Sequence, residues 1–204
     1  MFDAKVKVVC ASCNNGWMND LEAGVRSLLP KMIKGRSAQL TKTKQRALAT
    51  WSLKTIMMLK YTHSKEDRLV IPDEDYAALF QDRQPSQIMR IWTAAMTPPV
   101  ALFGAADHPV DYRCVPLNGD VTIQHTEGAE FLRANAYVTT LRIGYFVTQV
   151  IRIGTPGLLY TVTPSPALGK HLTPIWPNIG TREWPPPSLD KIGGLATLAN
   201  ALAS

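Results

Sequence analysis

Membrane spans, leader peptides and dense cysteine patterns are all missing from this 204-residue sequence. No apolar run reaches the roughly 20 residues that a membrane-spanning helix requires. The first five residues lack the apolar block of a secretory signal. Three cysteines are too few for the disulfide framework of a small secreted domain. We therefore expect a cytoplasmic protein without a membrane-embedded part.

The common signatures of nucleotide-binding and hydrolytic enzymes are absent from the sequence as well. It contains no phosphate-binding glycine loop, no Gly-x-Ser-x-Gly turn and no Gly-x-Gly-x-x-Gly fingerprint. Its four histidines stand alone, without a second His or Cys at ligand spacing. The acidic run Asp73-Glu74-Asp75 follows Pro72 and is typical of a first helical turn, where carboxylates complement the helix dipole. It predicts a helix over residues 72–81.

Positive charge is concentrated in the first third of the chain. Residues 1–65 contain twelve lysines and arginines against three acidic residues, a net charge of +9, whereas residues 66–204 carry −3. Clustered cations attract a phosphate backbone, because binding releases its counterions. The candidate nucleic-acid-binding residues are Lys31, Lys34, Arg36, Lys42, Lys44 and Arg46. They predict contact with DNA or RNA; the alternative is a solvated basic face without a partner.

Apolar residues recur at helical spacing in the same third. A stripe over residues 17–32 predicts a first helix, which Pro30 should end or bend. A second helix should begin after Thr41 or Thr43, since either hydroxyl can cap it, and run to about Tyr61. It is apolar around much of its circumference, which is typical of a buried helix.

From residue 87 the pattern changes to β-branched and aromatic runs separated by Pro, Gly and Asn, which predicts antiparallel strands. The predicted strands cover residues 87–96, 100–105, 112–115, 120–125, 135–143, 145–153 and 158–163, with an earlier short strand at 5–9. Gly144 marks the tightest turn. The proline-rich stretch 174–187 should wrap the sheet with Trp176 and Trp184 as anchors.

Together these elements predict an α+β fold: a helical N-terminal unit, then a mostly antiparallel β-sheet body and a C-terminal helix. Ser188 should cap that last helix, which runs to about Ala203. We place the domain boundary so that residues 1–65 form the basic helical unit and residues 66–204 the β-rich body. Trp17 is a core candidate that can also stack on a nucleic-acid base.

Two cysteines, Cys10 and Cys13, have the spacing of a zinc knuckle. A closed structural zinc site needs four ligands, so this pair is half of one. Three interpretations stay open. A homodimer can complete a zinc site with four sulfurs, the pair can act in redox chemistry, or the two thiols can simply pack beneath the first helix.

The sequence around this pair resembles the C-terminal half of the treble-clef finger in HNH endonuclease-like proteins of bacteria and their phages. The matching residues are Val9-Cys10-Ala11-Ser12-Cys13-Asn14-Asn15-Gly16-Trp17-Met18 with Leu21-Glu22, and less specifically Leu48 to Thr55, Trp176-Pro177 and Trp184-Pro185-Pro186. The resemblance implies a knuckle followed by a helix, a structural zinc held by two CxxC pairs, and a catalytic divalent metal. Asn14 matches the family's His or Asn beside that metal.

The sequence departs from the family pattern ahead of Cys10. The resemblance places a first cysteine pair, an acid–His pair and the general base tens of residues upstream, where this sequence has nine residues. Phosphodiester hydrolysis needs an activated nucleophile. We therefore expect an HNH-like protein without nuclease activity that binds nucleic acid or a nucleoprotein. The alternatives are a metal-dependent endonuclease completed by an upstream segment or a second chain, and a phage or mobile-element module that inhibits a host defence protein.

Overall fold

The computed structural model of the chain describes residues 9–61, 71–97, 110–116, 121–125, 128–132, 137–152, 164, 166–177 and 180–195, with the backbone alone between 110 and 132. Its helices are α1 (Ala11–Asn15), α2 (Trp17–Val25), α3 (Leu29–Ile33), α4 (Lys42–Lys60), α5 (Asp73–Asp82) and α6 (Pro166–Gly169). Its strands are β1 (Ala38–Leu40), β2 (Met89–Ala95), β3 (Val110–Pro116), β4 (Val121–His125), β5 (Gly128–Leu132), β6 (Tyr137–Ile143), β7 (Phe146–Arg152), β8 (Thr173–Trp176) and β9 (Arg182–Trp184). This order confirms the α+β prediction.

The long helix α4 begins and ends close to where the sequence predicts. Thr41 is its N-cap residue, and the Thr41 hydroxyl accepts a hydrogen bond of 3.4 Å from the backbone N–H of Lys44. The helix runs for 19 residues and buries ten of them. Because its side chains are buried around much of its circumference, α4 is the central helix of the core, as its apolar composition indicates.

The knuckle region is helical earlier than predicted. The residues Asn14-Asn15-Gly16 predict a turn into the first helix. Cys10 is the N-cap residue of α1, however, and this helix includes Asn14 and Asn15. The chain turns at Gly16 instead, where a Cβ would lie 2.7 Å from the Ser12 carbonyl oxygen. Only glycine therefore fits between α1 and α2 without a shift of the backbone.

Pro30 does not end the first helical stripe. That stripe already breaks after Val25, and Pro30 lies in the first turn of α3. Proline suits the first turn of a helix, because its missing N–H is one of those without an intrahelical acceptor. The residue therefore starts a helix where the sequence pattern predicts an end.

Helix α2 is held against α4 by one carboxylate. Glu22 accepts a hydrogen bond of 2.9 Å from the indole N–H of Trp51 and forms an ion pair with Lys54. A Cβ at Gly24 would contact Ala47, so the C-terminal end of α2 lies toward the start of α4. The knuckle consequently lies toward the other end of α4, which at 1.5 Å per residue is about 28 Å long.

The main sheet has five antiparallel strands in the order β3-β6-β7-β2-β8. Strands β6 and β7 are joined by the predicted tight turn, in which Gly144 has a φ of 58° and Ile143 pairs with Phe146. Every residue of β7 is buried, because α4 and its neighbours cover one face of the sheet while α6 and the 3-10 helix Leu189–Ile192 contribute to a second apolar cluster on the other. The remaining sheets are the ribbons β1-β9 and β4-β5.

A single apolar cluster contains residues from both predicted parts of the chain, among them Leu48 of α4 and Val150 of β7. The division at residue 65 stays a prediction. None of the helices in the described part of the chain is long and apolar enough to cross a membrane.

The proline-rich stretch follows its predicted role. Trp176 and Trp184 are both buried, and the peptide bonds that follow them are cis. Trp176 ends the edge strand β8 and Trp184 ends the three-residue strand β9, so the stretch contributes short edge pairings as well as anchors. The prolines that follow the two tryptophans lie outside the central strands of the main sheet, where proline would remove a ladder hydrogen bond.

Several predictions fall on residues that the structure does not describe. The strands predicted at 100–105 and 158–163, and all but the last residue of the strand predicted at 5–9, lie outside the described residues. Ser188 caps the C-terminal segment as predicted, but the described part is a 3-10 helix rather than an α-helix. Gly193 and Gly194 follow it with φ angles of 96° and 67°, and the rest of the predicted helix lies outside the described residues.

Gly35 lies in the turn that leads into β1. Its φ is +70°, and an added Cβ would lie 3.0 Å from the ring of Tyr145. We expect Gly35→Ala to lower the free energy of unfolding by about 2 kcal/mol, since a left-handed non-glycine residue alone costs about 1–2 kcal/mol. Urea unfolding measures the loss. Gly169→Ala is the control, because no atom lies within 4 Å of its added Cβ; equal losses for the two variants would contradict this account.

Candidate functional site: the basic surface and the cysteine knuckle

All six predicted nucleic-acid-binding residues lie in one continuous segment, from α3 through β1 into the first turns of α4. Five are exposed and Lys44 is half-buried, with its ammonium group donating to the Gln39 carbonyl oxygen at 3.2 Å. We call this surface, together with Arg182 described below, the basic surface; its residues are Lys31, Lys34, Arg36, Lys42, Lys44, Arg46 and Arg182.

Arg182 joins the basic surface through the ribbon β1-β9. Leu40 pairs with Arg182 across the two strands, and the Arg182 side chain is exposed. The next pair, Gln39 and Glu183, is linked by a side-chain hydrogen bond of 3.2 Å. Sequence reasoning missed Arg182, because a three-residue strand beside Trp-Pro carries no periodic signal that would predict its partner.

The start of α4 carries cations where helices ordinarily carry acids. Lys42 and Lys44 lie in its first turn, which contains no acidic residue, and Arg46 follows in the second. Cations at the positive end of a helix dipole are unfavourable, by a few tenths to about 1 kcal/mol each. The helix dipole therefore does not explain this choice of residues.

Gln45 fixes the basic surface to the rest of the fold. Its side-chain amide is fully buried and donates to the Leu40 carbonyl oxygen at 2.7 Å and to the Gly180 carbonyl oxygen. One side chain of α4 thereby holds both β1 and the segment that leads into β9. The cations of α4 and Arg182 of the ribbon are thus held close to each other, because α4 is hydrogen-bonded both to β1 and to the segment before β9.

The cysteine knuckle is the second candidate site. The Cys10 sulfur accepts a hydrogen bond of 3.4 Å from the backbone N–H of Cys13, and the Ser12 hydroxyl lies 3.1 Å from it. Hydrogen bonds from Ser12 and Cys13 lower the pKa of Cys10 to about 7. Hydrogen bonding to Cys10 and partial burial raise the pKa of Cys13. The two thiols therefore differ in their readiness to ionise.

An aromatic and cationic cluster adjoins Cys13. The Arg83 guanidinium lies 4.6 Å from the ring centroid of Trp17 and 4.4 Å from that of Phe80, a distance at which a cation and a π-system attract. Phe80 is 54% exposed. Trp17 is half-buried, and the Arg83 guanidinium lies over its ring. Base stacking on Trp17 stays a prediction.

Other potential metal ligands are described for only part of the chain. Asn14 is exposed on α1, and Cys114 is described only as a backbone position in β3. His171, the one histidine with a described side chain, hydrogen-bonds through Nδ1 to the Pro187 carbonyl oxygen at 2.9 Å. Within the described residues no three His, Cys, Asp or Glu side chains are placed to hold one metal ion. Cys10 and Cys13 supply at most two thiolate ligands from this part of the chain.

The acidic run at the start of α5 does more than the sequence predicts. Its three acids do occupy the first turn, as expected. However, Asp75 is buried and binds Arg152 with an Oδ2–Nε distance of 2.8 Å, while the Tyr137 hydroxyl donates to the same carboxylate at 3.1 Å. Burial raises the pKa of Asp75, against the opposing effects of Arg152 and Tyr137. We interpret this cluster as a polar link between α5 and the sheet.

The interpretation of both sites rests on their geometry. No protein-family model, curated protein or solved structure matches the chain.

Proposed function

We propose that this protein binds nucleic acid, alone or in a nucleoprotein, through the basic surface, and that it does not hydrolyse it. The observation that carries the proposal is the cationic start of α4. Lys42, Lys44 and Arg46 follow the Thr41 cap without an acidic residue, and the exposed Arg182 pairs with Leu40 directly ahead of that cap. A phosphate backbone would neutralise these charges and gain the free energy of counterion release.

The mode of binding that fits this surface is contact with phosphates rather than base readout. Its side chains are Lys and Arg on α3, the segment after α3, the start of α4 and the ribbon. Such side chains position a protein on a polyanion through phosphate contacts without reading sequence. We therefore expect strong dependence on salt and little discrimination between sequences. The experiment below decides whether the preferred ligand is a duplex or a single strand.

The test is a pair of matched double variants. Lys31→Gln with Lys34→Gln removes two charges from the basic surface, and Lys170→Gln with Lys191→Gln removes two exposed charges from the α6 and 3-10 helix region. Fluorescence anisotropy with labelled DNA and RNA over a salt series should show about a tenfold loss of affinity and a salt slope smaller by about 2 for the first variant only. Equal losses in both variants, or no binding by the wild-type chain, would refute the proposal.

We further propose that the protein is a relative of the HNH endonuclease-like family. Support comes from the residues Cys10 to Met18, in which Asn14 matches the family's position beside a divalent metal. Nothing in the sequence matches the family's acid–His pair, which is why the proposed role is binding. If upstream coding sequence supplied such a pair and a second CxxC, the endonuclease alternative would replace this one.

A homodimer with one zinc ion shared between two knuckles remains part of this proposal. Four sulfurs from two copies of Cys10 and Cys13 would satisfy the tetrahedral preference of zinc. Elemental analysis combined with the mass in solution decides it: half a zinc per chain in a dimer is the expected value, and zinc-free monomers would eliminate the shared site. Binding of a host defence protein is the third hypothesis, and capture of one partner that survives nuclease treatment would favour it.

A further inference from the structure

An arginine lies over two aromatic rings where the end of α5 meets the start of α2. The carbon at the centre of the Arg83 guanidinium is 4.4 Å from the ring centroid of Phe80 and 4.6 Å from that of Trp17. Phe80 lies in the last turn of α5, and Trp17 is the first residue of α2. We call these three side chains the aromatic stack. Its flat groups come from two helices and meet at the protein surface.

Phe80 stays open to solvent in this arrangement. It is 54% exposed, and it is the one large apolar residue that is exposed within the part of the chain for which burial is described. A single exposed aromatic residue is ordinary on a protein surface. Phe80 differs because the guanidinium covers one face of its ring and so restricts how the ring can turn. The ring therefore presents a flat, accessible face in a defined direction.

The backbone at Arg83 indicates that the side chain is the reason for this residue. Arg83 has a φ of 55° and a ψ of 28° at the end of α5. Among the described residues it is the one non-glycine residue with a positive φ. Such a left-handed conformation is unfavourable for a side chain with a Cβ, and glycine or asparagine is the usual choice at a helix end. The backbone alone would favour glycine here, so the guanidinium over the two rings explains the arginine better.

Given the proposed function, on which this step rests, we infer that the aromatic stack binds an unpaired nucleobase on the open face of Phe80. Every base has a π-face that can stack on an aromatic ring, so the contact needs no particular sequence. In a duplex each base is covered on both faces by its neighbours. The contact is therefore made with single strands and not with duplexes.

The charges around the aromatic stack favour a base over a phosphate or a cation. Asp82 directly precedes Arg83, and Asp20 lies one helical turn along α2 from Trp17. Both acids are exposed. Two carboxylates against one guanidinium repel a phosphate group. The guanidinium in turn repels a second cation from the other face of the ring. A neutral planar ring is the ligand that meets neither repulsion.

The basic surface supplies the phosphate contacts that the aromatic stack lacks. The two sites lie toward opposite ends of α4, because Gly24 of α2 lies beside Ala47 whereas Trp17 begins α2. The 19 residues of α4 span about 28 Å. A strand of about 15 nucleotides exceeds that length even at about 3.4 Å per nucleotide, so it is long enough to reach both sites. Proteins that bind single strands commonly combine cations along the backbone with aromatic rings for the bases.

The experiment compares three labelled ligands of about 15 nucleotides by fluorescence anisotropy with the full chain: a thymine strand, an abasic strand with the same phosphates, and a duplex. The wild type should bind the thymine strand about tenfold more tightly than the abasic strand, as expected for one base stacked on an aromatic ring. Phe80→Leu keeps an apolar side chain but loses the ring, so it should bind the two strands alike. Phe80→Tyr keeps the ring and should keep the preference. Because Phe80 is exposed, both variants should fold like the wild type, which urea unfolding checks.

Salt dependence separates the aromatic stack from the basic surface. Phe80→Leu should lower the affinity for the thymine strand by the same factor at every salt concentration, because stacking releases no counterions. Lys31→Gln with Lys34→Gln should instead reduce the salt slope. Arg83→Gly removes the guanidinium and suits the left-handed backbone, and it should reduce the preference for the thymine strand about threefold. Neither Phe80 variant should change the affinity for the duplex.

The possible failures of the two proposals differ. If the abasic strand binds as tightly as the thymine strand, if Phe80→Leu and Phe80→Tyr lose affinity equally, or if Phe80→Leu weakens duplex binding as much, the base site is overturned and the proposed function stands. A wild-type chain that binds none of the three ligands overturns both.

Discussion

Replacing Arg152 by Met should lower the free energy of unfolding by about 3–5 kcal/mol, the cost of leaving one partner of a buried ion pair alone. Arg152 is 1% exposed and lies on β7 opposite Tyr137 of β6. Its Nε is 2.8 Å from Asp75 Oδ2, and its Nη2 is 2.8 Å from Glu74 Oε1. Methionine keeps the unbranched apolar stem but lacks the guanidinium, so the loss combines the stranded Asp75 carboxylate with a small cavity.

Glu74→Gln is the matched control for this variant, because it removes the other carboxylate that contacts the same guanidinium. The Glu74 side chain is 59% exposed. Exposed ion pairs contribute about 0–1 kcal/mol, since water screens the attraction. We expect the control to unfold within about 1 kcal/mol of the wild type. If Glu74→Gln lost as much stability as Arg152→Met, burial of the ion pair would not be the cause of the loss.

The loss in Arg152→Met should also depend on pH. Burial already raises the pKa of Asp75, and Arg152 opposes that rise. Without Arg152 the pKa of Asp75 rises further, so the folded state binds a proton more readily than the unfolded state. A carboxyl with a raised folded pKa adds stability below its unfolded value, and that stability is lost as the pH rises through the folded value. Urea unfolding should therefore show a smaller loss at about pH 4 than at about pH 7; an equal loss at both would contradict this.

Trp184→Ala should cost about 3–5 kcal/mol, the range for deletion of a fully buried indole from a core. Trp184 is 1% exposed and pairs with Ala38 across the ribbon β1-β9. The resulting cavity lies beneath the ribbon that carries Arg182, so we also expect weaker binding of nucleic acid. Thermal or urea unfolding measures the first effect, and anisotropy measures the second at a temperature where the variant is folded.

A pair of phenylalanine variants isolates the indole N–H from the volume of the ring. The Trp184 N–H has no hydrogen-bond partner among the described residues, whereas the Trp176 N–H donates to the Ser86 carbonyl oxygen at 2.9 Å. Trp184→Phe removes an unpaired donor, while Trp176→Phe leaves an acceptor without its donor. An unpaired buried polar group costs about 1–3 kcal/mol. Trp176→Phe should therefore be the less stable variant by about 1 kcal/mol or more; the opposite order would show that Trp184 has an unseen partner.

Helices α4 and α5 could be predicted closely because their signals are local. The Thr41 cap, the apolar periodicity of α4 and the acids after Pro72 all act between residues within a few positions of each other. The turn at Gly144 could be predicted for the same reason, because its signal also lies within a few residues. The knuckle was harder, because Asn14 and Asn15 favour a turn by composition but are helical between the Cys10 cap and Gly16.

The short strands and buried charges could not be predicted in the same way. Strands β1 and β9 have three residues each, too few for a periodic pattern. Arg152 stands in a strand whose every residue is buried, and the sequence gives no sign that Asp75 will meet it there. Such pairs depend on contacts between distant segments, which no local preference determines.

By itself, the sequence determined the α+β class, the main helices, the tryptophan anchors and a concentration of positive charge before residue 65. Each follows from composition or from interactions between near neighbours. The tertiary structure decided that Arg182 lies beside the basic N-terminal segment, by pairing it with Leu40, and that Arg83 lies near Cys13. It also buried Arg152 against Asp75. These outcomes depend on which distant segments pack together to bury the apolar core. That packing depends on the whole chain and not on local preferences.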